Sequence, residues 1–387
     1  MENVVVMYPS LGIGHLISMV ELGELILSQD PTLSITILLT PQHYETKSTA
    51  NYIKNVTSAT PSITFHHLPK LPNPPDYSTP FFDLVFQLIK SYNPIVHDTL
   101  LSISKNSDIK GVVIDFLAND AFDVCLIVNT FAALEPRFMK SLSNGEHNPD
   151  GPTPQLYYVG PLIRGDSSDN SNDKCLNWLD SQPKKSVVVL IFGSIGKFKK
   201  DQLMEMAKGL EKSGQRFLWV VRNPPPENGK EHAFALKEPE LDDLLPDGFL
   251  SRTKEKGLVV KNWAPQGEIL RHKSVGGFVC HCGWNSVLEA IHAGVPMIAW
   301  PLYAEQKMNR LHLVEGIKVA LRLKMSEDGF VTADELAESL KELMVEESGK
   351  KLRAHVEEMS ASAKAAVVDG GSSRVALAEL VGSLKSV

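Results

Sequence analysis

Short apolar runs alternate with amphipathic stretches along the first part of the chain. The pattern predicts strands over 4–8, 34–39, 63–68 and 111–114, and helices over 15–27, 44–56 and 81–103. The predicted strands are almost entirely apolar and do not alternate with polar residues, which indicates strands that are buried on both faces. Such strands separated by helices are typical of a parallel sheet covered by helices on both sides.

A second series of the same kind follows after residue 185. The predicted strands cover 186–192, 217–221, 258–261, 275–280 and 297–300, and the predicted helices cover 201–213, 286–293, 333–343, 350–367 and 374–384. Residues 164–185 between the two series are rich in Ser, Asp and Asn, which favours an interdomain linker. The Pro-rich, acidic stretch 223–246 predicts a surface excursion from the second series.

The two series predict an α/β protein with two doubly wound, Rossmann-like domains. We expect an N-terminal domain over 1–163, a linker over 164–185, a C-terminal domain over 186–366 and a last helix within 367–387 that packs back on the N-terminal domain. A length of 387 residues fits two domains. Ligands of such sheets bind at the carboxyl ends of the strands, so we expect a cleft that both sheets face.

Composition narrows the class of protein. Hydrophobic residues make up 43% and charged residues 22%, as in ordinary globular proteins. A net charge of -7 provides no basic surface for nucleic acid. The sequence contains neither a secretory signal nor an apolar run of about 20 residues that could span a membrane. Four irregularly spaced cysteines predict reduced thiols in a cytoplasmic protein.

Two short motifs have alternative interpretations. Cys280, His281 and Cys282 could indicate a metal site, but neighbouring residues of a strand point to opposite faces, so we do not predict one. The Gly-Ile-Gly sequence before His15 could begin a dinucleotide-binding motif. That motif requires a third glycine, where this chain has Ile17, and an acidic residue after the second strand. We therefore do not predict NAD binding.

Candidate chemistry concentrates between Trp263 and Gln306. A predicted strand ends before Gly283 and a predicted helix follows, so unbonded backbone N–H groups and the helix dipole form an anion site that suits a diphosphate. His281 adds a hydrogen-bond donor. The Glu289 carboxylate, one turn along the helix, can accept hydrogen bonds from ribose hydroxyls. The Trp263 ring offers a flat face on which a base can stack, worth about 1–3 kcal/mol.

This segment of 44 residues is similar to the signature box of plant secondary-product glycosyltransferases, which use UDP-sugars. The positions that carry the match are His281, Gly283, Trp284, Asn285, Ser286, Glu289, Gly294, Pro296, Pro301 and Gln306. The opening segment, Val4-Val-Val-Met-Tyr-Pro-Ser-Leu-Gly-Ile-Gly-His-Leu, and Met19-Val-Glu-Leu-Gly resemble the subgroup that glucosylates flavonoids and chalcones. An ordinary strand–turn–helix with packed tryptophans would not require so many separated matches.

The resemblance implies a GT-B-like fold and an inverting transfer of glucose from UDP-glucose to a phenolic small molecule. UDP-glucose would be a co-substrate, and no metal is expected because no Asp-x-Asp pair accompanies the phosphate site. We expect a monomer. The implied UDP-sugar-binding residues are Ser194, Trp263, Ala264, Gln266, His281, Gly283, Trp284, Asn285, Ser286, Glu289, Tyr303, Glu305 and Gln306. In the family, Gln266 would lie near the uracil and Ser194 near a phosphate. Glu305, Gln306 and Trp284 would surround the sugar.

The resemblance also implies a catalytic pair. His15 follows the first predicted strand, at the family's position for the catalytic base, and Asp115 follows the strand 111–114, at the position of its acidic partner. A histidine with an ordinary pKa near 6.5 suits removal of the acceptor proton at neutral pH. A carboxylate behind the ring fixes its tautomer and stabilises the imidazolium that forms.

One departure from the family lies after Asp115. The segments 116–124 and 125–131 both have counterparts in the family, but there they lie far apart, so the junction Val124–Cys125 predicts the loss of two or three strand–helix elements. About four strands precede this point, where such domains usually have six. A splice form, an annotation error, a deletion or residues left out of the numbering would each explain it. Two functions therefore stay open: an active glucosyltransferase, or a truncated relative that binds UDP-sugar with little or no turnover.

Overall fold

The computed structural model describes residues 1–41, 47–76, 81–115, 126–144, 155–164, 173–225 and 238–385. The chain divides into two compact units. Unit 1 comprises Met1–Arg164 together with Ala366–Val387, and unit 2 comprises Gly165–Ala365. The end of the chain therefore belongs to the same unit as its beginning.

The main sheet of unit 1 has four parallel strands with helices on both faces. Its elements are β1 (Glu2–Tyr8), α1 (Ile13–Gln29), β2 (Leu33–Leu39), α2 (Lys47–Ala59), β3 (Ile63–His67), α3 (Phe81–Ile103) and β4 (Ser107–Ile114), and the strand order is β3-β2-β1-β4. Val5 on one face of β1 packs in a cluster with Leu16 of α1. Val6 on the other face packs in a cluster with Tyr92 of α3. Burial on both faces explains why β1 is apolar throughout.

Two further strands of unit 1 form a separate parallel sheet. These are β5 (Leu126–Val128) and β6 (Leu156–Tyr158), and α4 (Pro136–Ser143) lies between them in the chain. Within the described ranges, no strand pairs with β4 on the side away from β1, and β5 pairs only with β6. Val112, Val113 and Ile114 of β4 are only half-buried. The sequence of β4 is that of an inner strand, but its burial is that of an edge strand.

Unit 2 contains one six-stranded parallel sheet. Its strands are β7 (Val187–Ile191), β8 (Arg216–Val221), β9 (Gly257–Lys261), β10 (Val275–Cys280), β11 (Met297–Ala299) and β12 (Ala320–Arg322), in the order β12-β11-β10-β7-β8-β9. Every residue of β7, β10 and β11 is buried. The fully buried Trp219 and Trp300 belong to the core on one face of the sheet.

Helices cover the sheet of unit 2. They are α5 (Lys174–Asp180), α6 (Lys200–Ser213), α7 (Leu241–Leu244), α8 (Phe249–Thr253), α9 (Gln266–Arg271), α10 (Trp284–Ala293), α11 (Gln306–Leu311), α12 (Ala333–Val345) and α13 (Glu347–Val367), with a π-helical turn over His312–Gly316. None of the helices formed by the described residues is long and apolar enough to cross a membrane.

The last helix, α14 (Ser372–Lys385), packs on the sheets of unit 1. Leu377, Leu380 and Val381 belong to the same buried cluster as residues of α1 and β1. The Ser373 hydroxyl donates a hydrogen bond of 2.6 Å to the Gly160 carbonyl oxygen. The helix thus completes a core whose first strand lies at the very start of the chain.

The predicted strands and helices agree with the structure to within about four residues at their ends, except where they enter 42–46, outside the described residues. The linker interpretation of 164–185 needs correction, because 174–180 form α5. The Asp173 carboxylate caps this helix by accepting a hydrogen bond of 2.7 Å from the Cys175 N–H. Cys175 and Leu179 are buried, so this polar stretch contains a helix cap and a packed helix. The excursion 223–246 is described only in part and includes α7.

Candidate active site

His15 and Asp115 meet at the carboxyl edge of the main sheet of unit 1. Tyr8 and Ile114 are paired at the ends of neighbouring strands, and the Asp115 N–H donates to the Tyr8 carbonyl oxygen at 3.1 Å. His15 lies in the first turn of α1, which begins shortly after β1 ends. Its Nδ1 is 2.9 Å from Oδ2 of Asp115. The structure thus brings the two residues into contact, as their positions after neighbouring strands predict.

The surroundings of Asp115 favour its ionised form. Burial raises the pKa of the Asp115 carboxyl, but hydrogen bonding to His15, the charge of His15 and hydrogen bonds from Ser10 outweigh it, so the pKa lies below its usual value. An ionised carboxylate only accepts hydrogen bonds, so Nδ1 of His15 is the donor. The neutral ring then carries its lone pair on Nε2. The His15 side chain is 45% exposed and that of Asp115 only 15%, so the imidazole is the accessible member of the pair.

The predicted UDP-sugar-binding residues all lie at the carboxyl ends of strands of unit 2. They follow β7, β9, β10 and β11, four strands of one six-stranded sheet. After β7 comes Ser194; after β9 come Trp263, Ala264 and Gln266; after β10 come His281, Gly283, Trp284, Asn285, Ser286 and Glu289; and after β11 come Tyr303, Glu305 and Gln306. Ser194 is exposed, Ala264 is buried, and the Trp263 ring is 58% exposed, as a stacking surface requires.

His281 lies in a cradle formed by two glycines. A Cβ atom on Gly193 would lie 2.5 Å from Nε2 of His281, and one on Gly283 would lie 2.4 Å from it. Gly193 also has a left-handed backbone, with φ of 69°. His281 is buried, and within the part of the chain that the structure describes its Nδ1 has no hydrogen-bond partner. Burial, aided by the charge of Arg222, lowers the pKa of His281 to about 4, so the ring is neutral at physiological pH.

The beginning of α10 carries the next group of predicted residues. Gly283 caps the helix, and half-buried Trp284 and Asn285 begin it. The Trp284 ring centroid lies 6.3 Å from that of His312. Helix α10 thus begins three residues after His281, and a helix N-terminus beside the buried Nδ1 of His281 makes a site that fits an anionic group.

Gln266 connects the loop after β9 to α10. Its side-chain Nε2 donates to Oε2 of Glu289 at 2.6 Å and to the Ser286 hydroxyl at 2.9 Å. Burial raises the pKa of the half-buried Glu289 carboxyl, partly offset by the Gln266 hydrogen bond and the charge of Arg271. The residues predicted to contact the uracil and the ribose are thus in contact with each other.

The loop after β11 is organised by Gln306. This side chain is 2% exposed, and its Oε1 accepts hydrogen bonds from the N–H groups of Leu302 at 2.9 Å and Tyr303 at 3.1 Å. Glu305 is exposed and accepts a hydrogen bond of 3.3 Å from Asn309. The amide oxygen of Gln306 therefore holds the loop, so any contact with a sugar would be made by Nε2.

Arg222 lies among these loops, although the sequence pattern did not single it out. It directly follows β8, the strand between β7 and β9. Its Nε donates to the Asn262 carbonyl oxygen at 3.0 Å, and its Nη1 donates to the Gly193 carbonyl oxygen. A basic residue directly after an apolar strand, at the edge where ligands bind, is the signal that could have identified it.

The cysteines near His281 are buried free thiols. Burial raises the pKa of Cys282 to about 12. Across the described ranges, no group of three His, Cys, Asp or Glu side chains is arranged to hold a metal ion.

Comparison with known proteins assigns this arrangement to a family. Residues 147–360 match the family described as UDP-glucoronosyl and UDP-glucosyl transferase. The UDP-glycosyltransferase 88B1 of Stevia rebaudiana is 48% identical, and the alignment covers 96% of each chain. The chain belongs to the UDP-glycosyltransferase family. The anthocyanidin 5,3-O-glucosyltransferase of a Rosa hybrid cultivar is a further relative of this glycosyltransferase, with 42% identity over 98% of each chain.

A solved structure supports the same assignment for the fold. Phytolacca americana UGT2, complexed with UDP-2fluoro-glucose and pterostilbene, superposes with a TM-score of 0.83. It is 31% identical, and the match covers 99% of this chain and 100% of that one. The expected GT-B-like α/β fold is confirmed.

The alignment with the Stevia protein is longer than this chain. The alignment with the Stevia glycosyltransferase spans 454 positions, whereas this glycosyltransferase has 387 residues, so at least 67 positions have no residue of this chain. The predicted junction Val124–Cys125 itself lies outside the described residues.

Proposed function

We propose that the protein is an inverting, UDP-glucose-dependent O-glucosyltransferase that acts on phenolic small molecules. The observation that carries the proposal is the hydrogen bond between His15 and Asp115 at the end of β1 and β4. This pair is the arrangement that general-base removal of a hydroxyl proton requires.

In this mechanism Nε2 of His15 accepts the proton of the phenolic hydroxyl as its oxygen bonds to the anomeric carbon of glucose. The bond between that carbon and the UDP oxygen breaks, and UDP leaves with the electron pair. Attack opposite the leaving group converts the α-linked donor into a β-glucoside. Asp115 stabilises the imidazolium that forms and holds the ring in the required tautomer.

Residues of unit 2 would hold the donor. The exposed Trp263 ring would stack on the uracil with Gln266 near its edge, and the Glu289 carboxylate would accept hydrogen bonds from the ribose. Gln266 already donates a hydrogen bond to the Glu289 carboxylate. When ribose binds, its hydroxyls would therefore share this carboxylate with Gln266 or displace the Gln266 hydrogen bond. His281, Ser194 and the first N–H groups of α10 would bind the diphosphate.

The remaining predicted residues would hold the glucose. Glu305 and the Nε2 of Gln306 would bind sugar hydroxyls, Trp284 would lie on the far side of the ring, and Ala264 and Tyr303 would line the site. Burial raises the pKa of Tyr303 to about 12, so its hydroxyl stays protonated and can donate a hydrogen bond. Trp284 has no charge, and this supports glucose over a sugar with a carboxylate at C6.

The acceptor class rests on the relatives. The Rosa protein is named for anthocyanidin and the Phytolacca structure contains pterostilbene, and both molecules are phenols. We also propose a monomer in the cytoplasm. The alternative, a truncated relative that binds UDP-sugar without turnover, is not favoured, because the similar proteins are named as transferases.

The test is a product assay with UDP-glucose and a panel of flavonoids, chalcones and stilbenes, in which NMR of the product reports the anomeric configuration. We expect a β-glucoside of at least one phenol. An α-glucoside would contradict the inverting mechanism, and UDP binding without any glucoside would favour the truncated relative.

A further inference from the structure

Arg222 is a charged residue that the proposed mechanism has not used. It follows β8 directly and is half-buried. Three backbone carbonyls accept hydrogen bonds from its guanidinium: those of Gly193 and Gly196, in the loop after β7, and that of Asn262, in the loop after β9. These loops also carry Ser194 and Trp263. Guanidinium groups present several donors in one plane, so a single side chain can connect loops on both sides of its strand.

Both connected loops have an unusual backbone at the point of contact. Gly193 has φ of 69° and Asn262 has φ of 63°, in the left-handed region. A residue other than glycine adopts this region only where local contacts favour it. The Arg222 hydrogen bonds are thus made to two residues with left-handed backbones, one in each loop. They hold the guanidinium at the carboxyl edge of the sheet.

The charge of Arg222 is not neutralised by an acidic side chain within the described ranges. Among the residues that the structure describes, Arg222 makes no ion pair, and its three hydrogen-bond acceptors are neutral carbonyls. Gly193 connects this guanidinium to the candidate phosphate site, since its carbonyl oxygen accepts from Arg222 and an added Cβ would lie 2.5 Å from Nε2 of His281. The charge of Arg222 lowers the pKa of His281 because it disfavours a positive charge on that ring. The same charge attracts an anion bound beside His281.

The other donors at this site lack a full charge. His281 is neutral at physiological pH, and the first turn of α10 contributes only the partial charge of the helix dipole. A diphosphate carries at least two negative charges, and the departing UDP gains another. One fixed cation at this edge would therefore contribute strongly to binding and to stabilisation of the leaving group.

We propose that Arg222 is a further binding residue of the donor site, which supplies the positive charge for the diphosphate of a nucleoside diphosphate. This inference rests on the proposed function, because it takes the carboxyl edge of the unit 2 sheet as the UDP-sugar site. It adds a positive charge to the phosphate site, where the predicted UDP-sugar-binding residues include no lysine or arginine.

The experiment measures the binding of UDP and of uridine to the full chain by isothermal titration calorimetry. The variant Arg222→Gln keeps hydrogen-bond donors for the two loops but removes the charge. We expect it to bind UDP on the order of 10- to 100-fold more weakly, with uridine affinity within about threefold of the parent. Arg222→Lys keeps the charge, and we expect its UDP affinity to lie between those of the parent and Arg222→Gln.

Arg216→Gln is the matched control, because Arg216 lies at the opposite end of the same strand and contacts Gln182 and the Glu255 carbonyl oxygen. We expect its UDP affinity to equal that of the parent. Where Arg222→Gln does not fold by circular dichroism, Arg222→Met replaces it in the same comparison.

Two results would overturn the inference. One is UDP affinity of the uncharged variant within about threefold of the parent, and the other is an equal loss of UDP and uridine affinity, which would limit Arg222 to holding the loops. A parent chain that binds neither UDP nor uridine would overturn the proposed function itself, and is thereby distinguishable from failure of the inference alone.

Discussion

The two units contain similar strands that differ in burial. In unit 2 the apolar strands β7, β10 and β11 have a partner on each side, and all of their residues are buried. In unit 1, β4 is comparably apolar at its carboxyl end, yet within the described ranges only β1 pairs with it, and Val112–Ile114 stay half-buried. An apolar strand with the exposure of an edge strand is what the predicted loss of strand–helix elements would leave.

The difference separates two parts of the proposed chemistry. The donor residues of unit 2 follow strands of a six-stranded sheet, whereas Asp115 follows β4, which pairs with β1 alone among the described strands. The comparison therefore predicts that changes in unit 1 alter turnover and leave nucleotide affinity intact, and that changes in unit 2 alter nucleotide affinity.

The largest expected effect is that of His15→Ala. Removal of a general base typically reduces the rate by 10²–10⁴-fold. We expect a loss in kcat of this order, measured with a phenol that the parent glucosylates, with the Kd for UDP unchanged. Near-normal turnover would exclude His15 as the base. Weakened UDP binding would contradict the prediction that changes in unit 1 leave nucleotide affinity intact.

An insertion tests the predicted loss of strand–helix elements. We expect the corresponding segment of a longer relative, inserted between Val124 and Cys125, to raise turnover by up to about 10²-fold. A misplacement of about 1 Å in a catalytic group can cost this much. It should also slow proteolysis of unit 1, measured by mass spectrometry of the fragments, while unit 2 resists protease in both proteins. If the parent already turned over rapidly and resisted protease throughout, the prediction of a damaging deletion would be wrong.

Gly283→Ala tests the donor side of the comparison. The backbone of Gly283, with φ of −66°, allows alanine, but the new Cβ would lie 2.4 Å from Nε2 of His281. Displacement of the ring should weaken UDP binding on the order of 10- to 100-fold, measured by calorimetry. Gly382→Ala on α14, whose Cβ would meet no atom within 4 Å, is the control and should leave UDP affinity unchanged.

Trp284→Arg tests donor choice within unit 2. An arginine can pair with the C6 carboxylate of glucuronate through charge-assisted hydrogen bonds, which a neutral indole cannot form. We expect the ratio of kcat/KM for UDP-glucuronate over UDP-glucose to rise about tenfold, measured by product formation. A parent that uses the two donors equally would contradict the role of Trp284.

The smallest expected effect concerns pH and Asp115. Because the folded-state pKa of Asp115 lies below the ordinary value of 3.8, its ionised form contributes stability above that value, and the contribution is lost as pH falls through the folded pKa. Asp115→Asn should therefore lower Tm at pH 5, with a smaller difference from the parent at pH 3. A difference in Tm that does not depend on pH would indicate only lost packing.

The sequence was sufficient where function depends on strand order. His15 and Asp115 each follow a strand, and neighbouring parallel strands bring their carboxyl ends together, so the contact could be predicted. The position of Arg222 after an apolar strand could also have been noted, but its contacts with Gly193 and Asn262 could not be predicted, because these residues come from two other loops. The amide oxygen of Gln306 accepts hydrogen bonds from the backbone of its own loop. A sequence motif does not indicate whether the oxygen or the nitrogen of the amide faces a ligand, so this could not be predicted.

Composition misled the prediction at 164–185. The Ser, Asp and Asn residues there suit a linker, but Asp173 is a helix cap, and Cys175 and Leu179 of the helix that follows are buried. Helix caps and linkers use the same residue types, and only packing against other elements distinguishes them.

The position of α14 has a consequence for biosynthesis. Leu377, Leu380 and Val381 complete the core around β1, so this core cannot be completed until residues 377–381 have been translated. The nascent unit 2 has all of its own strands by then and can fold on the ribosome ahead of unit 1. A premature stop after residue 365 would thus leave unit 2 able to fold and would remove from unit 1 the apolar side chains of α14 that complete its core.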